Sequence, residues 1–548
     1  MEPLNYQDVN RKILRTLSRP PRSYYLIVGL LFLGILWAAV CWAYQILTGL
    51  GVTGVLHPSM WILYLVNFVF WVGIAHSGTL ISAILYLFRA KWRTPIARSA
   101  EAMTVFAVMI AGLFPFIHLG RVWLFYWIIP YPNQRTLWPN FQSPLTFDFL
   151  AISTYFTVSV LFWYTGLVPD LAAVRDSAKG IRRKIYGFLS LGWTGTDRQW
   201  HHYGAAYLLL AGLATPLVVS VHSVVSWDFA LAIIPGYHST IFAPYFVAGA
   251  IHSGLAMVLT LLIPLRHIFH FESIITIKDL ESVAKTTILT GLIVGYAYLV
   301  EYFMAWYSGN VFEKQTFLFR AIGHWSLAFW VMVFCNAIAP LFFFFKRIRT
   351  RLWSLFTIAI LINIGMYAER FVIIIGSMAQ DFIPYNWGFY SVRWVELSIT
   401  VGSLENGKIL TVFSPIHFSE IQEIIGHKTS GIRYLTLAGG ILGGASLVGL
   451  AVNAHLSFQF VTGGKPILPL IPFVVPFFEG TILLAVICTV LSWVLKGRLP
   501  RMKLPAAYDP RFSEDRFGIL VACPAGRRDI LDKLLKDAGA EEVRDVSG

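Results

Sequence analysis

The sequence predicts an all-α polytopic membrane protein of about twelve transmembrane helices, built as two four-helix bundles (helices 2–5 and 6–9) with flanking helices and a small cytoplasmic α+β domain. Three observations carry this prediction. Hydrophobic residues make up 57% of the 548 and charged residues 13%, against about a quarter charged in ordinary soluble domains. Apolar runs of the roughly 20 residues that a bilayer crossing needs recur along most of the chain. The loops between them alternate in Lys and Arg content, as the positive-inside rule requires. The net charge of +14 comes from those loops. It therefore points to membrane topology and the lipid bilayer, not to nucleic acid.

The apolar runs fall near 24–48, 60–88, 102–129, 146–168, 203–226, 241–265, 286–308, 318–345, 352–378, a weaker 386–404, 433–453 and 471–495. The first follows twenty-odd polar residues and is long enough to remain as an anchor, with no cleavable signal visible. Counting Lys and Arg, the arm 1–23 has five, 89–101 has four, 170–202 has six, 266–285 has three and 346–351 has four. The loops on the opposite side carry zero to two. The N-terminus is therefore expected in the cytoplasm. Lys408, Lys428, Arg433 and KGRLPRMK at 496–503 are cytoplasmic only if 386–404 also crosses. That gives twelve crossings with both termini inside.

GIAHSGTLISAIL at 73–85 recurs as GAIHSGLAMVLTLL at 249–262. Both helices run outward to inward, which makes a parallel repeat and suggests the two bundles. LAGGILGGASLVGL near 437–450 has the small residues that let helices approach closely. Outside the membrane, KILTVFSP reads as a strand and IHFSEIQEIIGH as a helix. The tail reads FGILVAC (strand), RRDILDKLLKDAG (helix) and EEVRDV (strand).

Ionisable groups within the bilayer are expensive, so each needs a partner or a purpose. At 1.5 Å per residue, His118 lies roughly 24 Å along the third helix, with Arg121 nearly one turn later. Asp148 stands at the outer start of the fourth, with Tyr155 two turns deeper. Glu369 and Arg370 lie roughly 27 Å along the ninth. These groups reach one level near the outer surface. Such a set suits quinol oxidation: a histidine and a carboxylate take the two protons and an arginine holds a ring oxygen. His118, Asp148 and Arg370 are the catalytic candidates. Arg121, Tyr155, Glu369 and Tyr126 are quinone-binding candidates, and Trp127 and Phe371 could also line an aromatic slot. A deeper group (His76, Ser77, Thr79, His252, Ser253, Tyr296 and Glu301, with His222, Tyr298 and His324 nearby) would form a proton path from the cytoplasm. For single residues the plain alternative is an ion pair or a hydrogen bond within a bundle.

Cys41, Cys335, Cys488 and Cys523 stand far apart, with no CxxC or CxxCH. No haem, iron–sulfur cluster or metal site is expected in this chain. A b-type cytochrome would want paired intramembrane histidines about 13–14 apart on facing helices, and none match.

NFVFWVGIAHSGTLISAIL, FPFIHLGRVW, SPLTFDFLAIS, the IHSG of helix six, MYAERFVII and WVELSI together resemble the NrfD/polysulfide-reductase membrane-subunit family. Within it they look most like ActC of alternative complex III, over about residues 1–404. VTGGKPILPLIPFVVPFFEGTILLA and KGRLPR resemble ActD of that complex. The chain thus resembles an ActC–ActD fusion, with 433–495 as two ActD-like helices and 405–432 and 496–548 as cytoplasmic ActD-like pieces. The resemblance implies menaquinol or ubiquinol oxidised near the periplasmic side of the bacterial inner membrane, with His118, Asp148 and Arg370 at the site. It implies as partners c-type haem subunits, an iron–sulfur subunit and a second NrfD-like membrane subunit, together with a terminal oxidase, and it implies proton translocation. The alternatives are a quinone-linked subunit of another molybdopterin/iron–sulfur complex such as polysulfide reductase, and a non-redox transporter or anchor.

Overall fold

The computed structural model describes residues 12–13, 22–55, 62–129, 131, 138–410, 430–459, 461, 464, 466–501, 504–505, 507–513, 518, 521 and 528–544. Eleven helices among them are long and apolar enough to cross a membrane. In chain order they are α1 (Arg22–Thr48), α2 (Leu63–Leu87), α3 (Ala97–His118), α4 (Pro144–Ser177), α5 (Asp197–Ala230), α6 (Phe242–Ile268), α7 (Ile277–Tyr307), α8 (Ser326–Phe344) and α9 (Leu352–Met378), then α11 (Ile432–Ser457) and α12 (Leu470–Lys496). Between α9 and α11 lies α10 (Trp394–Leu410), which has 17 residues.

The apolar runs locate these helices, and local chemistry sets their ends. The 102–129 run does not continue as one helix. α3 stops at His118, Gly120 turns the chain at φ 66°, and Val122–Ile128 forms a 3₁₀ turn. The 318–345 run is likewise divided. Asn310 caps a surface helix, Val311–Ile322, by accepting from Phe312 and Glu313 N–H groups, and α8 begins only at Ser326. α10 starts eight residues later than the 386–404 expectation. The Glu396 side chain accepts from the Arg393 backbone N–H at 2.7 Å, which closes the first turn there.

The two predicted bundles are present. α2–α5 pack around one another, as do α6–α9, and α2 lies against both α6 and α9. One hydrophobic core runs through both. The repeated HSG tripeptides sit at this junction. Ser77 fills the space over Gly254, and Ser253 stands against Gly73. α1 flanks the bundles in contact with α10. Trp37 donates to Ser398 at 3.1 Å, Trp394 stacks on Tyr44, and Gly402 fits over Ala38. α11 and α12 form a hairpin whose backbones meet at Gly443 and Gly480, as the small-residue pattern predicts. α12 then docks on α4 and α5.

The α+β cytoplasmic domain is not observed as expected. Among the described residues there is no strand. Lys408–Leu410 continue α10 instead of starting a strand, because no breaker precedes Pro415. The rest of KILTVFSP, the IHFSEIQEIIGH segment and most of FGILVAC lie outside the described residues. The predicted tail helix is present as Arg528–Asp537, but 541–544 after it are not a strand. The segment after α12 folds back on the first bundle. Arg198 donates to the Lys496 carbonyl at 2.9 Å and Arg501 N–H to the Leu191 carbonyl at 2.9 Å. Tyr508 receives Arg175 at 2.7 Å and donates to Asp176 at 2.5 Å.

Candidate functional site

At the inner end of the first bundle, α3 opens with Arg98 and Glu101 one turn apart, and both are buried. Arg98 Nη1 donates to Glu101 at 2.7 Å and Nε to Asp170 of α4 at 3.2 Å. Its Nη2 donates to the Gly166 carbonyl at 2.5 Å. A Cβ at position 166 would fall on the guanidinium, so this close approach requires glycine. Tyr207 of α5 donates to the other Glu101 oxygen at 2.8 Å. The cluster satisfies most of its polar atoms, which a buried arginine between two carboxylates needs.

Outward of Glu101 lies a cavity of about 10 Å³, lined by Thr79, Ser82, Glu101, Thr104 and Ser159 among others. That is room for about one water. α2 carries a π turn at this level, Leu80–Ile84, a distortion that is frequent at functional sites. Beyond the cavity, the Thr79 hydroxyl meets Tyr155 at 2.9 Å, and Tyr155 donates to the Ala75 carbonyl at 3.0 Å. The Tyr155 ring lies 5.1 Å from that of His76. His76 Nδ1 donates to the Val72 carbonyl at 2.6 Å, and its ring is 4.7 Å from His222 of α5. His222 is fully buried, and neither ring nitrogen has a hydrogen-bond partner among the described residues. It faces Phe246 at 5.9 Å, and Arg370 stands over the other side of that ring at 5.0 Å.

Arg370 leads into the second bundle. It forms a buried ion pair with Glu369. Tyr298 of α7 donates to Glu369, and Asn336 of α8 donates to Tyr298 at 2.8 Å. Asn336 sits in a second π turn, Phe334–Ile338, so both bundles distort a helix where they present polar groups. Tyr245 packs edge-on against Tyr298 at 5.8 Å. Arg370 lies about 12 Å below the outer end of α9 at 1.5 Å per residue.

The sequence-derived candidates thus divide into three groups. His76, Thr79, Tyr155, Glu369 and Arg370 come together in one buried polar string that crosses from the first bundle to the second. Ser77 and Ser253 serve the packing of α2 on α6, where Ser253 donates to the Ala250 carbonyl at 3.0 Å. His252 pairs with Thr290 at 2.9 Å inside the second bundle. Asp148, His118 and Arg121 are at the outer ends of their helices, away from that string. Asp148 is buried and faces the Asp228 carboxyl of α5. His118 is half-buried at the last residue of α3. Arg121 is exposed, and Tyr126 stacks on Trp127 on the exposed 3₁₀ turn. Glu301 is buried near Arg320 and Glu313, whereas Tyr296 is 65% exposed on the outer face of α7. Residues that sequence reasoning passed over include Arg98, Glu101, Asp170, Asp228 and Asn336. Only Arg98 and Glu101 carried a signal, an opposite-charge pair at i,i+3 just inside an apolar run.

This architecture defines a polytopic membrane protein whose helical bundles enclose a chain of ionisable side chains. Residues 51–382 match the family described as polysulphide reductase, NrfD, and the chain belongs to that family. Residues 403–545 match a second family, described as alternative complex III, ActD subunit. The succession of the two agrees with the expected ActC–ActD fusion. Among characterised relatives, the chain is similar to a dimethyl sulfoxide reductase membrane subunit of Halobacterium salinarum. That likeness is 30% identity over 252 residues, covering 44% of this chain and 53% of the relative. It is also similar to a selenate reductase subunit of Mesobacillus selenatarsenatis, at 24% identity over 250 residues, covering 44% of this chain and 54% of the relative. The chain therefore spans about half the length of each of these relatives.

Proposed function

We propose that this chain is the quinol-handling membrane subunit of an alternative complex III-type respiratory oxidoreductase. It would oxidise menaquinol or ubiquinol near the outer side of the inner membrane. Each quinol would release two electrons to a partner iron–sulfur subunit and two protons to groups of this chain. The observation that carries the reading is the buried Arg370–Glu369 pair, joined through Phe246 and His222 to His76 and Tyr155. An arginine in the apolar phase suits a polarised quinone oxygen, and neutral imidazoles suit proton acceptance. His118 and Asp148, at the outer helix ends, are proposed as the first proton acceptors. The string from Arg370 inward to Glu101 is proposed as the proton route. Electrons would continue through c-type haem subunits. The relatives' names favour a second reading, a quinone-linked subunit of a molybdopterin/iron–sulfur reductase. The ActD-type segment at 403–545 supports the first.

The test is quinol:cytochrome c activity of the assembled complex carrying Asp148→Asn, His118→Ala or Arg370→Gln. Each is expected to lose at least tenfold in turnover, about 1.4 kcal/mol of transition-state stabilisation. Normal turnover in all three, with normal assembly, would sink the proposed site.

A further inference from the structure

The C-terminal hairpin buries one carboxyl that nothing above uses. Glu479 of α12 is fully buried, about 14 Å below the outer end of its helix at 1.5 Å per residue. Its Oε1 accepts from Ser220 of α5 at 3.2 Å, and Thr154 of α4 stands beside it. Its Oε2 has no hydrogen-bond partner among the described residues. The groups that face it are therefore hydroxyls, Ser220 from α5 and Thr154 from α4. α11 meets α12 through glycines, with Gly443 against Gly480. Among the described residues no ion pair reaches Glu479; every pair formed there joins other side chains.

A carboxylate without a cation is among the costliest groups to hold in the hydrocarbon, and neutralisation by a proton removes that cost. A structural role alone would be filled as well by glutamine or serine, which satisfy a hydroxyl without an ionisable proton. The position is also informative. Ser220 lies two residues from His222, and Thr154 immediately precedes Tyr155. Glu479 thus stands at the level of the buried polar string, on the opposite side of the α4–α5 seam. We propose that Glu479 is a proton-binding site that the fused C-terminal segment inserts between α4 and α5 of the first bundle. On this proposal the hairpin contributes a reversible proton carrier to the membrane core as well as anchoring the tail. The step is simple: the carboxylate takes one proton to become the acid and returns one.

The inference is independent of the quinol site and is tested apart from it. The assembled complex is titrated across the neutral range while its infrared carboxylic-acid C=O absorption and its proton uptake are recorded. Wild-type protein is expected to show one acid band that E479Q loses, with one proton fewer taken up over the titration. Ser220→Ala should shift that band without removing it, because it deletes the hydrogen bond and leaves the acid. E479Q keeps the shape and the Ser220 contact, so it reports on protonation even if E479L fails to assemble. An unchanged acid band and unchanged proton uptake in E479Q would overturn the proposal, whatever the quinol activity of the complex.

Discussion

Arg370 and Glu369 test how much a single buried charge pair matters. Glu369→Ala would leave the guanidinium in the apolar core with no carboxylate, a change that costs about 3–5 kcal/mol in other proteins. The expected result is a clear drop in Tm of the purified protein, larger than for Glu301→Ala. Equal shifts for the two variants would show that the pair is not what holds Arg370. Gly166→Ala is expected to cost about 1–3 kcal/mol, because its Cβ would occupy the place of the Arg98 guanidinium. Thermal unfolding compared with Gly212→Ala, where nothing stands within 4 Å, isolates that clash. At this scale the sequence was partly legible. His76, Tyr155, Glu369 and Arg370 stand out because polar groups are rare in apolar runs. Arg98 did not, because a cation beside a cytoplasmic loop has a cheaper explanation in topology. Asn336 and Asp228 have meaning only through partners on other helices, and a sequence does not say which helices touch.

Among the elements, the α11–α12 hairpin makes the most direct prediction. Gly443 and Gly480 bring two backbones together with no room for a side chain. Gly443→Leu should splay the hairpin, free the 458–470 connection to protease, and loosen α12 from α4 and α5. Unaltered cleavage kinetics would mean that the glycines are not the contact that sets the packing. Helix existence was readable from apolar length alone, as were the two bundles and the junction of the HSG repeats. Helix ends were not. The 122–128 segment is as apolar as a helix interior, yet Gly120 and the aromatic surface turn it into an interfacial 3₁₀ stretch, where Trp and Tyr are favoured. The strand expected at KILTVFSP failed at its start for a related reason. β-Branched and aliphatic residues fit either state, and an established helix continues until something breaks it.

For the whole molecule, the loop charges place both termini in the cytoplasm. Tags at either end should be protected in intact spheroplasts and exposed in inverted vesicles, and external labelling of the C-terminal tag would reverse the orientation. The tail also has a pH dependence of known sign. Arg511 holds Asp509 well below the usual carboxylate range, and Arg544 with Arg511 lowers Glu542 to about 2. Their contribution is complete above about pH 4, where an unfolded carboxylate is ionised, and fades as the pH falls toward 2. Arg511 bonds Asp509 at 2.8 Å and Glu542 at 2.6 Å, tying the segment after Arg528–Asp537 to residues 509–511. Hydrogen exchange there should rise on acidification from pH 5 to 3, and high salt should mimic it because the groups are exposed. Unchanged exchange under both conditions would remove these pairs as the tie.

Tyr508 has one more implication, for the order of events during synthesis. Its contacts with Arg175 and Asp176 join positions 333 and 332 residues apart. At about 5–20 residues per second, the foot of α4 waits some tens of seconds before its clasp is made. The first bundle is therefore finished by the last part of the chain to leave the ribosome, so a product truncated ahead of Tyr508 would lack that clasp. Quality-control proteases that survey the inner leaflet could tell a complete chain from an aborted one at this point.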